Sequence, residues 1–175
     1  VGCVAFDQSI RFQVPQRSKK NHLEAITQAL VTGAPSEKTE FYPILRKVAE
    51  EIPRRGMTIL ISDLLADTDG LFRGLKLLRK RGHDIMVLHV LDDDEIDFPF
   101  NGPTRFEGLE SASALSCNPR ALRGGYLDAM ADFLKRVRRG CTSNACDYDL
   151  IRTSQPLSAV LAAYLHRRMG MQRRS

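Results

Sequence analysis

The chain has 175 residues, of which 43% are hydrophobic and 27% charged, a balance typical of one globular domain with a sizeable core. No apolar run approaches the ~18 residues of a membrane span and no signal-peptide pattern is present, so we expect a cytoplasmic segment without membrane contact. The formal net charge of +5 comes largely from arginines near predicted helix ends, where the helix dipole favours them, so we expect no nucleic-acid partner. Nucleic-acid binding through these basic ends remains an alternative, and it predicts strong salt dependence.

Three apolar segments predict buried parallel strands, at residues 1–6, 57–62 and 85–91. Residues 10–14 alternate apolar and polar side chains, which predicts a half-exposed strand in a hairpin with the first segment. Helical patterns lie between the first two apolar segments, and another connects 57–62 to 85–91. We therefore expect one mostly parallel sheet with helices on both faces, which is the α/β class.

The second half of the chain predicts an acidic loop from residue 92, a small hairpin at 104–107 and 114–117, and a helix that begins at Pro119 after an Asn118 cap. A short strand at 148–151 and a final helix after Pro156 complete the pattern. No internal linker or repeat interrupts it, so we predict a single domain over residues 1–175. The four cysteines lack zinc-site spacing, and we interpret them as free thiols in a reducing compartment.

The strongest functional signal is Asp63, which directly follows the apolar run 57–62. Ligands of open α/β sheets bind at the carboxyl ends of the strands. Thr39, near the start of a predicted helix, offers a hydroxyl, and a hydroxyl with a carboxylate suits Mg²⁺. Two other interpretations stay open: Thr39 as a helix N-cap, and Asp63 as a cap or loop carboxylate.

Further acidic residues surround this position in sequence. Asp67 and Asp69 could join Asp63 in a Mg²⁺-dependent phosphohydrolase with an aspartyl nucleophile, but they are better explained as first-turn acids of a helix. A second acidic group follows the next predicted strand, where it could widen an acidic rim or simply be a solvated charge run: Asp92, Asp93, Asp94 and Glu95. His89, inside an apolar strand, is interpreted as a hydrogen-bonded core residue rather than a catalytic base.

Several segments together resemble a known bacterial family. Residues 1–7 resemble the second strand of von Willebrand factor A-like domains. More particular are Leu60-Ile61-Ser62-Asp63-Leu64-Leu65, Arg81-Gly82-His83-Asp84, the segment from Phe98 to Phe106, and Thr153-Ser154-Gln155-Pro156-Leu157. The combination resembles the family called domain of unknown function fifty-eight, whose genes commonly lie beside those of MoxR-type AAA+ ATPases.

This resemblance implies a Rossmann-like domain with a metal-ion-dependent adhesion site assembled from three loops. Thr39 and Asp63 match the second and third loops, while the first strand and the first loop would precede Val1, so we expect an N-terminally truncated domain. The implied function is a protein-interaction module rather than an enzyme, with another protein, a MoxR-type ATPase, as the partner. We expect the partner-binding face to include Asp63, Asp92, Asp93 and Asp94.

Overall fold

The computed structural model describes residues 1–19, 21–32, 39–53, 55–107 and 114–172. Seven strands and six helices follow one another in these ranges. In chain order they are β1 (Cys3–Phe6), β2 (Ile10–Val14), α1 (His22–Thr32), α2 (Phe41–Glu51), β3 (Gly56–Ser62), α3 (Thr68–Lys80), β4 (His83–Leu91), α4 (Asp93–Asp97), β5 (Thr104–Glu107), β6 (Ala114–Cys117), α5 (Pro119–Ser143), β7 (Asp147–Arg152) and α6 (Leu157–Gln172).

A parallel sheet of three strands, in the order β3-β4-β7, forms the centre of the fold. β4 is the middle strand, and its side chains are buried along almost its whole length. It pairs with β3 from Gly56 opposite His83 to Ser62 opposite His89, and with β7 from Met86 opposite Asp147 onwards. The near-continuous apolar character of β4 is what a strand covered on both faces requires, and the α/β class is confirmed.

Helices cover both faces of this sheet. Ile85 and Val87 of β4 belong to a core that includes buried residues of α2, α3 and α5. Their sequence neighbours Met86 and Leu88 belong to a second core with Tyr164 of α6. Because successive side chains of a strand point to opposite faces, α2, α3 and α5 lie on one side of the sheet and α6 on the other.

The prediction that β1 lies in the central sheet is wrong. β1 pairs with β2 in an antiparallel hairpin, as expected, but the two form a separate sheet, and the third parallel strand of the central sheet is β7. β1 instead packs against α2, where the rings of Phe6 and Phe41 meet edge to face at 6.3 Å. An apolar run signals burial rather than a particular neighbouring strand, and here the run is only half-buried, partly against a helix.

β3 differs from the fully buried strand that its sequence predicts. Leu60 is 5% exposed on the helix-covered side, whereas Met57, Ile59 and Ile61 on the opposite side are 44%, 50% and 65% exposed. In the described residues β3 pairs along one edge only, with β4. One apolar face and one edge of β3 are therefore left open by the part of the chain that the structure describes.

The predicted Asn118 cap and the first-turn acid Asp69 are confirmed, whereas Asp67, interpreted as a first-turn acid, is the N-cap itself. Asp67 caps α3 by accepting a hydrogen bond from the Asp69 amide at 3.0 Å, and Asn118 caps α5 in front of Pro119. Gly82, just after α3, has a φ of +87°, a conformation that favours glycine at a helix C-terminus. Nowhere in the described ranges does a helix combine the length and the apolar character needed to cross a membrane.

Candidate functional site

The carboxyl ends of the three parallel strands bring polar residues to one edge of the sheet. Asp63 follows β3, Asp92 follows β4, and Thr153 follows β7. Residues at the ends of parallel neighbours share an edge, so this placement depends only on the strand order and direction. The edge agrees with the position at which open α/β sheets bind ligands.

Asp63 begins a tight turn that is tied to its own backbone. The Leu65 amide donates a hydrogen bond to Asp63 Oδ1 at 3.0 Å, and the Leu64 amide donates to Ser62 Oγ at 3.1 Å. Leu64 adopts a φ of +57°, which is unusual for a branched residue, and its side chain is fully buried. The Asp63 side chain is exposed, so the turn presents one carboxylate to solvent above a buried leucine.

His89 lies directly beneath this turn and is completely buried. Its Nε2 is 2.7 Å from the carbonyl oxygen of Asp63, and its Nδ1 is 2.9 Å from the hydroxyl of Tyr148 in β7. Burial lowers the pKa of His89 below its usual range, against the smaller opposing influence of Asp63. The expectation of a hydrogen-bonded core histidine is confirmed, but its contact with Asp63 was not predicted, because the two residues are 26 positions apart.

Thr39 stands two residues ahead of α2 and is half-buried. The N-cap of α2 is Glu40, so the capping interpretation of Thr39 is wrong by one residue. The Glu40 amide lies 3.4 Å from the carbonyl oxygen of Asp7, just beyond β1. A Cβ added at Gly70, near the start of α3, would lie 3.5 Å from Tyr42 Cβ, so the start of α2 lies beside the start of the helix that follows Asp63.

The acidic segment after β4 is a short helix, α4, rather than a loop or a solvated charge run. Asp92 is its N-cap, and Asp92 and Glu95 form a reciprocal capping box. The hydroxyl of Thr153 also donates to Asp92 Oδ2 at 2.6 Å. Asp92 and Asp94 are both exposed, but the Asp92 side chain is engaged in holding α4 against the segment that follows β7.

Arg152, at the end of β7, neutralises much of the remaining acidity. Its guanidinium contacts Asp97 through two hydrogen bonds of 2.6 and 3.0 Å, and Asp93 through one of 2.9 Å. Hydrogen bonding to Arg152 lowers the pKa of Asp97, while Ser154 and then Arg152 lower that of Asp93. Sequence reasoning missed Arg152, because its partners lie 55 and 59 residues away.

The chemistry of Thr39 and Asp63 fits a hard cation, since both offer oxygen donors and Mg²⁺ is commonly held by one or two protein carboxylates together with water. In the part of the chain that the structure describes, no three histidine, cysteine, aspartate or glutamate side chains converge as a metal-binding group. Thr39 and Asp63 as metal ligands, and the four aspartates as a binding face, therefore stay predictions.

The described cysteines do not contribute reactive groups to this edge. Cys3, Cys141 and Cys146 are free thiols, as expected from their spacing. Burial raises the pKa of Cys141 to about 12 and that of Cys146 to about 11. Since the thiolate is the nucleophilic form, these two side chains serve as small core residues between α5 and β7.

These features define an α/β domain with a short parallel sheet and an acidic edge built from the turns that follow its strands. The chain belongs to the family described as Protein of unknown function DUF58, which matches residues 1–135. No curated protein and no solved structure matches the chain. The family assignment covers β1 to most of α5, and so includes Thr39, Asp63 and the acids of α4.

Proposed function

We propose that this chain is a protein-interaction module of the von Willebrand factor A type that binds its partner at the carboxyl edge of the β3–β4–β7 sheet. The observation that carries this proposal is the exposed carboxylate of Asp63, which stands on a turn that hydrogen bonds and buried side chains hold in place. A side chain that is free to meet a ligand while its backbone is fixed loses little conformational entropy on binding. Loops on a rigid scaffold are where binding residues concentrate.

The proposed contact uses a cation as a bridge. Thr39 and Asp63 hold Mg²⁺ with water, and a carboxylate of the partner takes an open coordination position. Two protein ligands leave most of the shell to water, so this chain by itself binds Mg²⁺ weakly. The resemblance implies a further loop with metal ligands, and a longer protein that carries such a loop should bind the metal more tightly.

The partner is another protein in the cytoplasm, and the family resemblance points to a MoxR-type AAA+ ATPase in complex assembly or maturation. Part of the acidity near Asp63 is internally neutralised, since Arg152 pairs with Asp93 and Asp97. Asp63 and Asp94 are therefore the acids that we expect to meet the partner directly. Asp92 and Asp93 support the edge by fixing α4.

A pull-down of the full-length protein with the ATPase encoded beside it tests this proposal, with and without Mg²⁺. Asp63→Asn removes the charge with almost no change in volume and should abolish Mg²⁺-dependent binding. Asp147→Asn is the matched control, because Asp147 is an exposed acid at the first residue of β7, at the opposite edge of the sheet from Asp63. Binding that ignores both Mg²⁺ and Asp63→Asn would overturn the proposed interface.

The same variants separate binding from catalysis. A binding module should show no turnover of generic phosphoester substrates with Mg²⁺. Turnover that requires the metal and is lost in Asp63→Asn, but kept in Asp147→Asn, would replace the module by a phosphohydrolase.

A further inference from the structure

The buried ring of His89 links three strands at the point where Asp63 leaves the sheet. In the strand register His89 lies opposite Ser62, the last residue of β3, and opposite Leu150 of β7. Its two ring nitrogens reach outward to both neighbouring strands, to the Asp63 carbonyl on one side and the Tyr148 hydroxyl on the other. The ring also meets Phe133 of α5 edge to face at 5.5 Å.

These contacts determine which nitrogen of His89 carries the proton. A carbonyl oxygen can only accept a hydrogen bond, so Nε2–H donates to Asp63. In a neutral imidazole Nδ1 is then the acceptor, and the Tyr148 hydroxyl donates to it. The Asp63 carbonyl thus selects the tautomer and the Tyr148 hydroxyl adapts to it by donating, so the ring cannot turn without losing a buried hydrogen bond.

The Asp63 carbonyl is the critical atom of the turn. Fixing its direction fixes ψ of Asp63, and hence the position of the next peptide and of the Leu65 amide that binds Asp63 Oδ1. The next residue, Leu64, is held in the left-handed region at a φ of +57°. Such a conformation persists where the surroundings over-determine it, and here the buried Leu64 side chain and the His89 hydrogen bond do so.

We propose that His89 is the positioning residue for Asp63: through the Asp63 carbonyl it sets the direction in which the exposed carboxylate points. The consequence for binding rests on the proposed function of Asp63, whereas the effect on the turn does not. His89 itself touches no ligand. Tyr148 acts on Asp63 indirectly, because its hydroxyl holds the His89 ring in place.

The chain contains a matched comparison. His83 lies on the same strand and the same face as His89, is 2% exposed, and makes one side-chain hydrogen bond, between Nδ1 and the Thr58 hydroxyl at 3.2 Å. It lies at the opposite end of β4, away from Asp63. His89→Leu and His83→Leu therefore both remove a buried imidazole from the same sheet, but only the first touches the turn.

Amide hydrogen exchange, resolved by residue, tests the positioning role directly. In His89→Leu the protection of the Leu65 amide should fall by about tenfold, the equivalent of one hydrogen bond, whereas His83→Leu should leave it unchanged. His89→Gln, whose amide can still donate to the Asp63 carbonyl, should restore part of the protection. Equal protection of Leu65 in His89→Leu and wild type, or an equal loss in His83→Leu, would overturn the proposal.

Tyr148→Phe covers the case in which His89→Leu does not fold. It keeps the aromatic ring and removes only the hydroxyl that donates to Nδ1, so the Leu65 amide should lose protection while the sheet amides keep theirs. Unchanged exchange at Leu65 in Tyr148→Phe would count against the proposal.

Mn²⁺, added alone and followed by paramagnetic broadening of the Leu65 amide, connects the turn to binding. The Leu65 amide signal should broaden at lower Mn²⁺ concentrations in wild type than in His89→Leu, and it should broaden least in Asp63→Asn. Equal broadening in wild type and Asp63→Asn would refute the metal-dependent function, and the exchange experiment would still decide the role of His89. Broadening that depends on Asp63 but is unchanged in His89→Leu would refute the positioning role alone.

Discussion

The packing of α2 against α3 is close enough for one added methyl group to force the two helices apart. Gly74 in α3 faces Leu45 of α2, and a Cβ added at Gly74 would lie 2.5 Å from Leu45 Cδ1 and 2.7 Å from Leu45 Cβ. The second atom is attached to the helix backbone and cannot turn away. Gly74→Ala therefore requires the two helices to move apart.

Two opposing contributions determine the size of the effect. Replacing glycine by alanine inside a helix is worth roughly 1 kcal/mol in favour of folding. Overpacking a well-filled contact costs about 1–3 kcal/mol. We expect a net destabilisation of up to about 2 kcal/mol, which lowers the melting temperature by roughly 4–8 °C for a chain of this size.

Gly124→Ala is the matched control, since Gly124 also lies within a helix, α5, but an added Cβ would meet no atom within 4 Å. Only the helix preference then applies, and this variant should be stabilised by up to about 1 kcal/mol. Urea unfolding followed by circular dichroism measures both variants against wild type. If Gly74→Ala had the same unfolding free energy as Gly124→Ala, the close packing of α2 on α3 would be refuted.

Three further predictions concern thiol reactivity, acid stability and the open face of β3. Iodoacetamide at pH 8 should leave Cys141 and Cys146 unmodified in the folded protein, because burial raises their thiol pKa to about 12 and about 11. Mass spectrometry measures the modification, and alkylation as fast as in urea would contradict this prediction. The pKa of Asp97 is lowered in the folded state by Arg152, so this ion pair stabilises the fold above the ordinary aspartate pKa of 3.8 and is lost as the pH falls below it. Arg152→Met should therefore melt below wild type at pH 7, and the gap should narrow towards pH 3; a constant gap would count against the ion pair. Ile61→Ala should change the unfolding free energy by less than about 0.5 kcal/mol, whereas Leu60→Ala should cost about 2–5 kcal/mol, and a large loss at Ile61 would show that the open face is covered in solution.

The amino-acid sequence by itself determined the local elements of this protein. The hairpins, the caps at Asp67 and Asn118, and the buried strand β4 follow from signals spread over a few residues, such as apolar periodicity and capping side chains. The position of Asp63 at a strand end is of the same kind, because it needs only the end of an apolar run. These interactions form within one segment, so they can be recognised without knowing where that segment lies.

The tertiary structure alone decided how those elements combine. β1 joins its hairpin rather than the central sheet, and β3 has one open face, because strand pairing depends on competition between distant segments. The Asp63–His89 and Arg152–Asp97 contacts join residues 26 and 55 positions apart, and no local pattern marks either pair. A side chain at a strand end can be predicted from its neighbours in sequence, but the group that orients it is known only when the strands are placed side by side.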